Sequence, residues 1–164
     1  MSTLITKLTR TSWKSPSSHE IVQLSDIVKK IKQNPNVVVH VGTDSHRRKG
    51  FNDSSHIFAT VICLYEPGKG ATYFFKRVVD STRYKTLNQR MMAEASLSID
   101  TSLKLMEHIN ISRIVVHSDT NSDDRYPSFK STEAIRSWVL SIGCKFRCKP
   151  NAWASSSVAD WHAK

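Results

Sequence analysis

The chain has 164 residues, enough for one domain with its own core. Its net charge of +10 and pI of about 9.7 favour a polyanionic partner, most simply nucleic acid. No apolar run approaches the ~20 residues of a membrane span, and the first ten residues lack the apolar core of a secretory signal.

Residues 1–16 read as an irregular N-terminal arm closed by Pro16. Ser17 and Glu20 stand three apart, as in a capping box, and predict a helix running to Gln33 on the apolar face of Val22, Leu24, Ile27, Val28 and Ile31. Asn34-Pro35-Asn36 stops it, and a strand follows over Val37–Thr43. A polar loop, residues 45–55, leads to strands over His56–Tyr65 and Ala71–Val79, joined by the turn Glu66-Pro67-Gly68-Lys69-Gly70. A long helix, Leu87–Ile109, carries small residues on its apolar stripe. Then come a strand (Arg113–Ser118), a helix (Ser131–Ile142), an edge strand (Cys144–Lys149) and a last helix (Ser156–Ala163). Three meandering strands followed by alternating helices and strands predict a five-stranded mixed sheet with helices on both faces, as one α/β domain over 17–164. Right-handed crossovers bring the fourth strand beside the first. Cys63, Cys144 and Cys148 are odd in number, and Cys63 and Cys148 lie inside predicted strands that Cys144 only begins. They read as reduced thiols of a cytoplasmic protein rather than as disulfides or half a zinc site.

Two strands end in acids. Val37–Asp44 and Ile114–Asp119 are rich in β-branched residues, and in open α/β sheets ligands bind at the carboxyl ends of strands. Glu94 falls at the flank of the long helix's apolar stripe, where a carboxylate is costly unless something positive meets it. Singly, each acid has an ordinary explanation: Asp119 as a turn-starter, Asp160 as a pair with Lys164, Glu94 in an ion pair. Together they point to a metal site. His40 and His117 lie behind the acids on the same strands and read as hydrogen-bonded core histidines.

This order resembles the ribonuclease H-like superfamily. Gly42-Thr43-Asp44-Ser45, Asp119-Thr120-Asn121 and Ser157-Val158-Ala159-Asp160 are similar to its local motifs. More narrowly, Gly-Thr-Asp-Ser and Lys149-Pro150-Asn151-Ala152-Trp153 look like the YkuK family. The resemblance implies that Asp44, Glu94, Asp119 and Asp160 are the catalytic, metal-binding acids, from the first strand, first long helix, fourth strand and last helix. The histidine found before the last helix in cellular ribonucleases H is missing, and His162 is the nearest substitute. A basic protrusion is missing too.

Converging carboxylates stay ionised only around cations, and hard oxygen donors select two Mg²⁺ or Mn²⁺ ions. Asp44, being central, would bridge them. Glu94 and Asp119 would hold one ion on the leaving side, and Asp160 would support the other. The expected function is therefore metal-dependent hydrolysis of RNA or an RNA-containing hybrid, or alternatively of DNA. The rival is a non-catalytic nucleic-acid-binding module. A third reading, an actin-like phosphotransferase, fits poorly, because that group needs duplicated domains and glycine-rich loops and this chain has five glycines. Phosphate contacts are expected from Arg47, Arg48 and Lys49 beside the first acid, and from Lys145, Arg147 and Lys149 on the edge strand. Those last residues could equally guard the edge against pairing.

Overall fold

The computed structural model describes residues 3–48, 50 and 54–164. In chain order the elements are α1 (Thr3–Arg10), β1 (Trp13–Lys14), β2 (Ile21–Val22), α2 (Leu24–Gln33), β3 (Val38–Arg47), β4 (His56–Glu66) and β5 (Gly70–Asp80). There follow α3 (Leu87–Met106), β6 (Ile114–Asn121), α4 (Phe129–Ser141) and β7 (Lys145–Lys149). A π-helical stretch, Ala154–Ala159, runs on into α5 (Asp160–Ala163).

The sheet has seven strands in the order β2-β1-β5-β4-β3-β6-β7. The antiparallel meander β3-β4-β5 and the parallel additions of β6 to β3 and β7 to β6 are the expected five strands. The other two correct the sequence reading. Over its described residues, 3–16, the N-terminal segment is not an irregular arm: α1 packs Leu4 and Leu8 against Phe58, Val78 and Leu97, and β1 pairs with β5 through Lys14 and Phe75. No helix begins at Ser17. Ser18 Oγ accepts from the Glu20 N–H at 3.3 Å, so a serine hydroxyl closes a turn between β1 and β2 rather than capping a helix. The helix starts at Leu24 instead, where the Asp26 carboxylate accepts from the Gln23 N–H at 3.2 Å.

Strand β3 is buried over nearly its whole length because both faces are covered. On one face α2, α3 and α4 bury Ile27, Ile31, Met91, Ile99, Leu105, Ile135 and Val139 against Val39, Val41, Ile62 and Val116. The small residues of α3 permit close approach: Thr43 Oγ1 lies 2.8 Å from Ser98 Oγ and 3.0 Å from Thr60 Oγ1. Thr86 Oγ1 caps α3 by accepting from the Gln89 N–H at 3.2 Å. On the other face Ala154 and Ala159 pack on Val61, Cys63 and Phe75. Burial raises the thiol pKa of Cys63 to about 12 and of Cys144 to about 11, so both stay protonated. No described helix is long and apolar enough to cross a membrane.

Candidate metal centre

The parallel β3–β6 ladder runs from Val39 and Ile114 to Gly42 and His117 and stops there. Asp44 and Asp119 each stand two residues beyond the last pair, where the strands part. The β6–β7 pairing is also irregular between His117 and Asn121, which frees the backbone that carries Asp119. Glu94 approaches from α3. It is buried, and its Oε1 accepts from Ser45 Oγ at 2.5 Å, with Arg90 Nε at 4.0 Å one turn earlier. Asp160 opens α5 on the opposite face of the sheet. One ligand atom each of Asp44, His46 and Asp160 lie within 4.8 Å of one another. His46 Nε2 donates to Asp160 Oδ1 at 2.7 Å and lies 3.4 Å from Asp44 Oδ2. Glu94 and Asp119 stand outside that tight group, and Glu94 feels the charge of Asp44.

The electrostatics record the crowding. Burial, then the charge of Asp119, raises Asp44 to about 7, against opposing contributions from the Ser45 backbone and His46. Burial, then the charges of Asp44 and Asp119, pushes Glu94 well above the usual range. Burial also pushes Asp160 upward, but hydrogen bonds from Lys164, His46 and Asp44 outweigh it and hold this carboxyl low. Of this pair, Asp44 therefore holds a proton more tightly than Asp160 does. Lys164 Nζ donates to Asp160 Oδ2 at 2.6 Å. Lys149 Nζ lies 3.0 Å from Asp119 Oδ1 but off the direction of a hydrogen bond, so that buried oxygen makes none.

His46 is the residue that sequence reasoning missed. Its signal was strand parity: two residues after Asp44 in a strand, it must share that acid's face. His162 is committed elsewhere. Its Nε2 pairs with the Tyr73 hydroxyl at 3.0 Å, and its ring stacks on Phe75 with centroids 3.8 Å apart. His40 and His117 are core residues bonded to each other, Nδ1 to Nε2, at 2.9 Å. The Ala154 N–H donates to His117 Nδ1 at 3.0 Å, so His117 carries its proton on Nε2 and gives it to His40. Among the basic residues, Arg47 lines a hollow of about 340 Å³ with Ser54, His56, Arg83 and Tyr84. Lys49 lies outside the described residues. Lys145 and Arg147 are exposed on the edge strand β7, as expected.

A family model described as Ribonuclease H-like matches residues 22–164. The chain belongs to the ribonuclease H-like family. No curated protein matches it. The family match covers the whole acid set, whereas α1 and β1 precede it. The residues present fit a divalent cation of the kind this fold implies. The donors are mainly carboxylate oxygens, one buried oxygen of Asp119 makes no hydrogen bond, and the two most buried acids are held toward their protonated forms. Side-chain cations face the two less buried acids: Lys149 at Asp119 and Lys164 at Asp160.

Proposed function

We propose that this protein is a divalent-metal-dependent nuclease that hydrolyses phosphodiester bonds of RNA or RNA-containing nucleic acid by a two-metal mechanism. The observation that carries this reading is the grouping of Asp44, Asp160 and His46 within 4.8 Å, with the charge of Asp119 acting on Asp44 and both aspartates acting on the buried Glu94. Asp44, Glu94, Asp119 and Asp160 would hold Mg²⁺ or Mn²⁺. Bound there, the ions supply water activation and neutralise charge on the phosphate. His46 keeps a proton on Nε2 beside Asp160, at the half-exposed rim where the phosphate would lie. Lys149 and Lys164 balance the acids until a cation arrives, and then are free to turn to phosphate oxygens. The basic surface and the family supply the substrate class.

A second reading, a nucleic-acid-binding module without catalysis, is favoured by the same lysine pairs, since ion pairs alone could keep the acids neutralised. Incubation of wild type and Asp44→Asn with labelled single strands, duplexes and hybrids, with and without Mn²⁺ or Mg²⁺, separates the two. The nuclease reading expects cleavage that needs both the metal and Asp44. Equal cleavage by the variant, or none by the wild type on any substrate, would overturn it.

A further inference from the structure

Beside Asp119 opens a cleft of about 600 Å³, lined among others by Arg136, Phe146, Arg147, Lys149, Asn151 and Trp153. Among the described residues no acid lines it, although it carries three cations. Lys149 reaches from its wall to Asp119, so the cleft is continuous with the acid centre. Arg147 is exposed and has no hydrogen-bond or ion-pair partner among the described residues. Arg136 lies over the Phe146 ring at 5.0 Å while its Nε pairs with Glu133 at 3.2 Å, which makes a flat stacked surface. Trp153 also lines the cleft and packs against His40 (centroids 4.7 Å apart), His117 (5.2 Å) and Tyr65 (6.2 Å). The buried histidine pair, which the proposed hydrolysis does not use, thus fixes one indole. A wall ordered before binding costs little to hold in place.

We infer that this cleft is a nucleotide-binding subsite for an unpaired strand of nucleic acid. Its place next to a scissile phosphate rests on the nuclease reading; the binding itself does not. The volume lies in the ~300–1,000 Å³ range of small-ligand sites, room for a base with its sugar and phosphate. Aromatic walls with arginines along a groove are the means by which proteins hold single strands, because every base has a face to stack and every linkage a charge to pair. A duplex keeps its bases stacked inside and offers this concavity only its backbone. The protein would therefore engage single strands, or single-stranded ends of longer substrates, with the unpaired nucleotide on the Asp119 side of the acids.

The test measures fluorescence anisotropy of short labelled single strands, duplexes and hybrids, in EDTA and in Mg²⁺, with all variants built on Asp44→Asn so that cleavage does not intrude. Arg147→Ala changes an exposed side chain and should weaken single-strand binding about tenfold and flatten its salt slope by about 0.7. Duplex binding should change by less than twofold. Trp153→Phe, which keeps a ring against the histidine pair, should weaken single-strand binding by a smaller factor. Ultraviolet crosslinks from an iodouracil-containing strand should map to residues 146–153. Single-strand affinity and slope unchanged by Arg147→Ala, or a duplex that loses as much as the single strand, would overturn the inference. Strands that bind through Arg147 yet are never cut by the wild type would leave the subsite standing and remove the nuclease reading. Wild-type cleavage together with Arg147-independent binding would do the reverse.

Discussion

Asp44 sits where burial and a second carboxylate both oppose its charge, and its pKa of about 7 makes it a stability sensor. The folded state binds this proton more tightly than the unfolded chain, whose aspartates titrate near 3.8. The associated stability is therefore full below about pH 4 and is lost as pH rises through about 7 in metal-free protein. Asp44→Asn should remove that part of the pH dependence and blunt the rise in melting temperature that Mn²⁺ gives the wild type. Calorimetry across pH, with and without Mn²⁺, checks this, and an equal Mn²⁺ effect on both proteins would count against Asp44 as a ligand. The histidine pair has the opposite sign. Burial, with a smaller effect of Arg147, lowers His40 to about 4, and burial followed by His40 and Arg147 lowers His117 to about 3. Their stability is present above the ordinary histidine value of 6.5 and lost as pH falls toward 4 and 3. With the carboxylate contribution removed, Asp44→Asn should lose stability steadily from pH 6.5 downward, where the wild type shows a flatter profile. His46→Ala should weaken Mn²⁺ binding by about tenfold in a calorimetric titration, the effect typical of losing a group that orients or completes a metal site.

At the level of elements, one glycine decides how the C-terminal segment docks. A Cβ on Gly42 would lie 2.7 Å from the Ser155 backbone nitrogen and 2.8 Å from the Ala154 carbonyl carbon. Backbone cannot yield as a side-chain tip can, so β3 and the segment approach this closely only because residue 42 has no side chain. Gly42→Ala should cost about 1–3 kcal/mol, as overpacking does. Because the displaced segment carries Asp160, the variant should also show a smaller melting shift with Mn²⁺. Loss of stability with an unchanged metal response would mean that the segment shifts without moving Asp160. Part of this element level was legible in the sequence. β-branched runs gave the long strands, and the small-residue stripe of α3 marked its packing face. The hairpin before α2 was not legible, because Ser17-Ser18-His19-Glu20 suits a helix cap at Ser17 and a turn closed by the Ser18 hydroxyl equally well.

Over the whole molecule, part of the excess positive charge gathers at two hollows, one lined by Arg47 and Arg83 and one by Arg136, Arg147 and Lys149. Replacing Arg47 and Arg48 together by Ala should flatten the salt dependence of duplex binding by about one to two units in log–log slope, since at most two phosphate contacts are lost. Turnover at saturating substrate should change less than affinity, because phosphate contacts position the strand. An unchanged slope in a filter-binding series would mark that loop as only a solvated surface.

The sequence by itself determined the meander β3-β4-β5 and the joining of β6 to β3, and it singled out four acids. These follow from periodicity, from where apolar runs end, and from motif words that lie within a few residues of each other. Tertiary structure alone decided which side chains share a space. It brought His46 between Asp44 and Asp160, residues more than a hundred positions apart in the chain. It turned His162 onto Phe75 and Tyr73 instead of toward the acids. It added α1, β1 and β2 to the fold, because two-residue strands are too short to show a period and gain their hydrogen bonds only from the partner they meet. The cleft beside Asp119 belongs to this second class as well, since its walls come from α4, β7 and the loop before the last helix.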